Sequence, residues 1–225
     1  MGQIILLVLA FLTAVLEWVA VGNRWRKVEY FAKPGVMIFV LAWLVLSGGL
    51  RQDNLLWFIA GAFFSLLGDS FLLMPREKLG FGLGLSSFLL AHWCYIVALN
   101  SPRTPIGLYS LILVGCILGL ASWVGWRVLS KLRKKGLRRF IVPVILYNLT
   151  LATMLFSAWN ININHVWNFL PALLVGLGAS SFAISDTLLA WNKFVTPLRY
   201  GRVFLMITYH LGQFAIMLGA VLQFA

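Results

Sequence analysis

Ile106-Gly107-Leu108-Tyr109-Ser110-Leu111-Ile112-Leu113-Val114-Gly115-Cys116-Ile117-Leu118-Gly119-Leu120-Ala121-Ser122-Trp123-Val124-Gly125-Trp126 runs without a charged side chain, and Arg127 ends it. A helix crossing the hydrocarbon core of a bilayer needs about 20 predominantly apolar residues. The run is continuously apolar rather than alternating, which excludes a barrel strand. It reads as a transmembrane helix over Ile106–Leu129. Arg127, Lys131, Arg133, Lys134, Lys135, Arg138 and Arg139 crowd its far end.

Working outward, the same reading gives Gln3–Val21, Pro34–Leu50, Leu55–Met74 and Leu79–Leu99 before this segment. Phe140–Trp159, Val166–Trp191 and Val203–Phe224 follow it. Turn residues and charges mark the limits, among them Lys33-Pro34, Pro75-Arg76, Ser101-Pro102 and Pro197. Asn160-Ile161-Asn162-Ile163-Asn164 reads as a short polar hairpin that contains no assigned role for the neighbouring His165. The first segment lacks a basic leader and a clear cleavage site, so it is expected to stay as a span. The fold class is an all-α integral membrane protein of eight transmembrane helices, one domain over residues 1–225.

Composition agrees. Of 225 residues 61% are hydrophobic and 11% charged, and the mean hydropathy is +0.93. Soluble domains carry about 25% charged residues. Cys94 and Cys116 fall in apolar runs, as buried small hydrophobes would. The sequence offers neither a Cys/His metal spacing nor a redox pair, so no metal and no cofactor is expected.

The net charge of +12 raises the question of nucleic acid, and the positions of the charges answer it. Of the 18 lysines and arginines, all but Arg51 and Arg103 lie after the first, third, fifth and seventh spans. By the positive-inside rule those loops are cytoplasmic and both termini face out, in the cell membrane. The membrane rule accounts for the charge, so nucleic acid is not expected as a partner. Lys131–Arg139 can in addition hold anionic lipid headgroups.

A repeat emerges from the spans. The third contains Gly61-Ala62 and then Asp69-Ser70-Phe71-Leu72. The seventh contains Gly178-Ala179 and, after an equal gap, Asp186-Thr187-Leu188-Leu189. Each is followed by a span bearing a histidine, His92 or His210. The match points to a parallel duplication of four helices, residues 1–100 and 106–225, about an axis along the membrane normal. Chance likeness between Gly-, Ala- and Leu-rich helices is the alternative.

Six acids are present. Glu29, Asp53 and Glu77 read as solvated loop charges, and Glu17 lies close enough to the end of its helix to reach the interface. Asp69 and Asp186 each lie about 7–8 Å inside their helices. An ionised carboxylate at such depth costs roughly 2.5–3.5 kcal/mol and marks a pathway or a site. If the two carboxyls lie within a few ångströms, both cannot ionise comfortably, and an acid beside a base results. Two separate helix-packing carboxyls are the other reading.

Lys33, at the entrance to the second span, either snorkels to the interface or binds a phosphate near the aspartates. Tyr147, Asn148, Tyr209, His210 and Gln213 fall at depths from which they can reach one cytoplasm-side cavity. His92 and Tyr95 lie deeper, and His92 reads either as a helix-bridging hydrogen bonder or as a site residue.

Lys33-Pro34, Gly68-Asp69-Ser70-Phe71-Leu72-Leu73, Phe88-Leu89-Leu90-Ala91-His92-Trp93-Cys94-Tyr95, Ser185-Asp186-Thr187-Leu188-Leu189-Ala190 and Asn192-Lys193-Phe194 stand in that order. Taken together they resemble the YhhN-like family of membrane proteins, which includes lysoplasmalogenases. The likeness covers almost the whole chain. Helix eight departs from the family's Thr-Tyr-Tyr-x-Ala-Gln pattern, reading Thr208-Tyr209-His210-Leu211-Gly212-Gln213, so Tyr209 and Gln213 are the matching positions. The resemblance implies hydrolysis of the vinyl ether bond of a lysoplasmalogen, a lysophospholipid, to a fatty aldehyde and a glycerophospho-ethanolamine or -choline. Asp69 and Asp186 would then be catalytic, and Lys33, Tyr147, Asn148, Tyr209, Gln213 and His92 would bind substrate.

Two rivals share some of these features. An ion-coupled transporter also carries repeats and midmembrane carboxyls, but with inverted repeats or broken helices. An intramembrane aspartyl protease would want a glycine at position 66, where leucine stands, and a tyrosine before the second aspartate, where Ser185 stands.

Overall fold

The computed structural model describes residues 2–101, 103–163 and 167–225. The boundary residue Pro102, the hairpin residues Asn164 and His165, and Val166 at the start of the seventh span lie outside them. Helices are α1 (Gly2–Gly22), α2 (Arg26–Leu46), α3 (Asp53–Leu72), α4 (Glu77–Leu99), α5 (Leu108–Lys134), α6 (Ile141–Ile163), α7 (Phe169–Ala190) and α8 (Gly201–Phe224). All eight are long and apolar enough to cross a bilayer, and the described residues contain no strand. The chain is an all-α integral membrane protein.

Lipid tails are as apolar as leucine, so helices associate in a membrane through close packing of small residues rather than by expulsion of water. Gly178 of α7 and Gly212 of α8 follow this rule. A Cβ on Gly178 would lie 2.9 Å from the Gly212 carbonyl oxygen and 2.8 Å from the Ile216 amide nitrogen. Gly61 of α3 makes room for a side chain instead: a Cβ there would lie 2.0 Å from Cε1 of Tyr95 on α4. Thus α3 packs on α4 and α7 on α8, with α1 against α2. One core draws on α1–α4 and α6–α8. α5 stays outside it, joined at its basic end through Val128 and Leu132, which pack with Phe81 and Phe194.

Several sequence expectations change. α2 begins at Arg26 and passes through Pro34. The missing proline N–H costs one helical bond, which packing against α1 and α3 offsets. Lys33 and Glu29 are therefore helical and buried, not loop residues, and Arg202 of α8 is the ion-pair partner of Glu29. Glu17 does not reach the interface; it is fully buried. Glu77 is the exposed first residue of α4 and pairs with Lys193. The asparagine run is not a hairpin as far as Ile163: α6 continues through it, with Asn160 buried and bonded to Ser110 Oγ and the Pro105 carbonyl. Cys116 is exposed on α5, whereas Cys94 is buried.

After α7 the chain makes a π-helical turn, Trp191–Val195, closed by Thr196 N–H donating to the Trp191 carbonyl at 3.1 Å. Asn192 Oδ1 accepts the Leu198 N–H at 2.9 Å and fastens the route into α8. The Phe194 ring packs on Phe81 and Phe140, and its carbonyl accepts Lys135 Nζ.

Gly178→Ala should lower stability in detergent by about 1–3 kcal/mol, because backbone rather than a flexible side chain blocks the new methyl. Gly115→Ala, with nothing within 4 Å of the added atom, should leave thermal unfolding unchanged.

Candidate active site

Helical spacing builds the site. Ser65 and Asp69 are one turn apart on α3, and Tyr209 and Gln213 one turn apart on α8. The two pairs meet as rungs. Tyr209 O–H donates to Asp69 Oδ2 at 2.7 Å, and Gln213 Nε2 donates to Ser65 Oγ at 2.9 Å. Tyr95 O–H of α4 donates to Gln213 Oε1 at 3.0 Å. Lys33 Nζ lies 3.4 Å from Asp69 Oδ1. Asp69 is 1% and Lys33 4% exposed, so the pair is buried.

Asp186 has a separate set of partners. Tyr147 O–H of α6 donates to its Oδ2 at 2.6 Å, and His92 Nε2 of α4 lies 3.3 Å from the same oxygen. His92 Nδ1 is 2.5 Å from the Phe88 carbonyl oxygen. A carbonyl only accepts, so Nδ1 carries the hydrogen and Nε2 is the nitrogen turned toward Asp186. Phe182 separates the two aspartate clusters, with its ring centroid 4.9 Å from His92 and 5.4 Å from Tyr209.

A third buried pair joins His210, which the sequence placed within reach of the cytoplasm-side cavity, to Glu17, which it did not single out. His210 Nε2 lies 3.1 Å from Glu17 Oε2, and Trp18 Nε1–H donates to His210 Nδ1 at 3.0 Å. That bond makes Nδ1 the acceptor and leaves the hydrogen of a neutral ring on Nε2, toward Glu17. The available signal was an acid inside an otherwise apolar span, the same signal that singled out Asp69 and Asp186.

Three cavities adjoin these residues. A cavity of about 660 Å³ at the basic ends of the helices is bordered by Arg26, Lys33, Lys193, Arg202, Glu29 and Glu77. A small one of about 50 Å³ is bordered by Asp186, Tyr147 and Asn148. It shares Phe81 and Leu189 with the first. The third, about 400 Å³ and mainly apolar, lies between α5, α6 and α7 and shares Val124, Asn148, Leu151 and Thr187 with the small one. The sequence placed Tyr147, Asn148, Tyr209, His210 and Gln213 within reach of one cytoplasm-side cavity, with His92 deeper. Asp186, Tyr147 and Asn148 border the small cavity and Lys33 the large one. Asp69, Tyr209 and Gln213 border none of the three, and His92 reaches them through Asp186.

The YhhN family model matches residues 28–220. The chain belongs to the YhhN family. A lysoplasmalogenase of Mus musculus is 30% identical over 209 residues, 92% of this chain and 80% of its own length. A human lysoplasmalogenase is 33% identical over 161 residues, 70% of this chain and 60% of its own length. A lysoplasmalogenase of Mycobacterium bovis is 28% identical over 145 residues, 62% of this chain and 50% of its own length. No solved structure matches. The motifs that carry the family likeness divide by task in this YhhN chain. Lys33, Asp69, His92 and Asp186 form the buried polar clusters, while Asn192-Lys193-Phe194 builds the joint between α7 and α8.

Removing one partner of a buried ion pair leaves an uncompensated charge. Lys33→Met should therefore lower stability in detergent by about 3–5 kcal/mol, and adding Asp69→Asn should restore most of it. A double-mutant cycle on thermal unfolding measures the coupling.

Proposed function

We propose that the chain is a lysoplasmalogenase that hydrolyses the vinyl ether bond of lysoplasmalogens to a fatty aldehyde and a glycerophospho-base. The observation that carries this reading is Asp186, a carboxyl that lies 3.3 Å from His92 Nε2, accepts from Tyr147 and borders a cavity. The lysoplasmalogenases among the relatives support the substrate class. Vinyl ethers open when an acid protonates the carbon β to the oxygen. The Asp186–His92 pair supplies that proton. The resulting oxocarbenium ion is stabilised by the Asp186 carboxylate, as carboxylates stabilise the corresponding ion at glycosidic bonds. Water then adds to the cationic carbon and returns one proton to the pair. The hemiacetal collapses, its C–O bond breaking to give the aldehyde and the glycerol hydroxyl. Atoms balance with water as the only co-reactant.

The paired aspartates take different tasks in this scheme. Asp186 acts on the substrate. Asp69 holds Lys33 and Tyr209 and is a positioning residue. Lys33, Arg26, Lys193 and Arg202 border a cavity suited to a phosphate, and of these Lys33, Lys193 and Arg202 are each paired with a carboxyl, Asp69, Glu77 and Glu29. Asn148 borders the aldehyde-forming part of the path, and Gln213 braces Tyr95 and Ser65 behind Asp69.

The same reading puts the basic loops in the cytoplasm and both termini outside, in the cell membrane. It takes the fold as one domain formed by duplication of residues 1–100 and 106–225. Cysteines placed between α5 and α6 should be labelled by impermeant reagent only after the membrane is opened. Labelling from the outer face of intact cells would reverse the orientation.

Purified protein should release aldehyde from lysoplasmalogen and leave the ester lysolipid intact. Asp186→Asn should cut kcat by about 10²–10⁴-fold, the usual worth of a general acid. Asp69→Asn should chiefly raise KM, the sign of lost uniform binding. Substantial kcat in Asp186→Asn would remove this residue from the chemistry.

A further inference from the structure

We infer that the groove between α5, α6 and α7 is the binding site for the single hydrocarbon chain of the substrate, reached sideways from the lipid. The inference rests on the proposed action on single-chain ether lipids.

The groove holds about 400 Å³, within the range of about 300–1,000 Å³ typical of ligand pockets. Its walls are Ile117, Leu120 and Val124 of α5, Leu155 of α6, and Ile184 and Leu188 of α7. Small side chains open it, namely Ala121, Ala152 and Ala183. From Leu188 to Ser180 it runs along α7 for about 12 Å.

Position rather than apolarity identifies the occupant. The groove is one end of a series of adjoining cavities. It shares Val124, Asn148, Leu151 and Thr187 with the cavity that Asp186 borders, and that cavity shares Phe81 and Leu189 with the cationic one. A molecule spanning the series meets a cation-lined chamber, then a carboxyl, then hydrocarbon. A single-chain phospholipid has that order of groups: phosphate, ether linkage, tail. The cationic chamber lies at the basic ends of the helices and the groove extends toward their middles. This is also how such a lipid stands in a leaflet.

The helix arrangement explains why the groove is open. α5 contributes nothing to the main core and rests on α6 and on the π-helical turn. It is held by Val128 and Leu132 at the basic end, by the bond from Asn148 Nδ2 to the Ala121 carbonyl, 2.9 Å long, and at its other end by Ser110 Oγ donating to Asn160 Oδ1. The remaining face of α5 is exposed, including Leu120 and Trp123. A lipid chain therefore enters from the side without crossing the polar end of the bundle.

Two measurements test this. The first needs no catalysis: a lysophosphatidylethanolamine carrying a diazirine in its chain is photolysed with the full-length protein in nanodiscs, and the labelled residues are mapped by mass spectrometry. Label should concentrate on the α5, α6 and α7 groove residues and be lost in Ala121→Phe and Ala183→Phe. A two-chain phosphatidylethanolamine with the same diazirine should not reproduce it. Equal labelling by the two-chain lipid, or label unchanged in both variants, would overturn the inference. The second uses vinyl ether lysolipids of long and short chain. Both variants should raise KM for the long chain by about tenfold or more, the scale on which hydrophobic pockets reject a misfit, and keep short-chain turnover. Wild-type protein that labels in the groove but releases no aldehyde would reject the ether-hydrolase reading while keeping the chain site. Wild-type turnover with unchanged long-chain KM in both variants would reject the chain site alone.

Discussion

A carboxylate inside a bilayer must find a partner, and that constraint organises this molecule. Asp69 has Lys33 and Tyr209, Asp186 has Tyr147 and His92, Glu17 has His210, and Glu29 has Arg202. Each pairing joins different helices, some of them distant in sequence. Asp69 ties α3 to α2 and α8, Asp186 ties α7 to α6 and α4, and Glu17 ties α1 to α8. In lipid, where apolar contact between helices yields little over contact with tails, such polar links and the close glycine contacts fix which helices meet. Breaking the Lys33–Asp69 pair leaves a buried charge without its partner.

The same constraint concentrates reactivity. Groups held away from water by two or three partners are oriented, and orientation at a reacting centre is a large part of catalysis. His92 illustrates it. The Phe88 carbonyl fixes its tautomer, so the ring turns Nε2 toward Asp186. Gly68 permits this packing, since a Cβ there would lie 2.7 Å from the Phe88 ring. The cationic cavity, the carboxyl and the apolar groove then follow one another along shared walls.

The eight helices were legible because a long apolar run admits almost no other fold in lipid. Asp69 and Asp186 stood out for the same reason: charge is expensive at that depth, so its presence is informative. What the sequence concealed was lateral. Periodicity says how far along a helix a residue lies but not which neighbour it faces. Glu29 and Lys33 looked like loop residues because Pro34 looked like a boundary, and α2 continues through it. Glu17 looked able to reach the interface because its partner, His210, lies at the opposite end of the chain. Asp69 and Asp186 matched in motif and depth, yet the Phe182 ring lies between their clusters and, of the two, Asp186 is the one that borders one of the three cavities described. A motif match fixes depth; side-chain volume between helices decides company.

Carbon protonation is the central claim, and the product records it. Wild-type protein is incubated with a lysoplasmalogen in deuterated water, and the aldehyde is trapped at once, before it can exchange. Proton transfer to the vinyl carbon predicts one deuterium on the carbon next to the aldehyde group. Aldehyde released without solvent deuterium at that carbon would contradict the account.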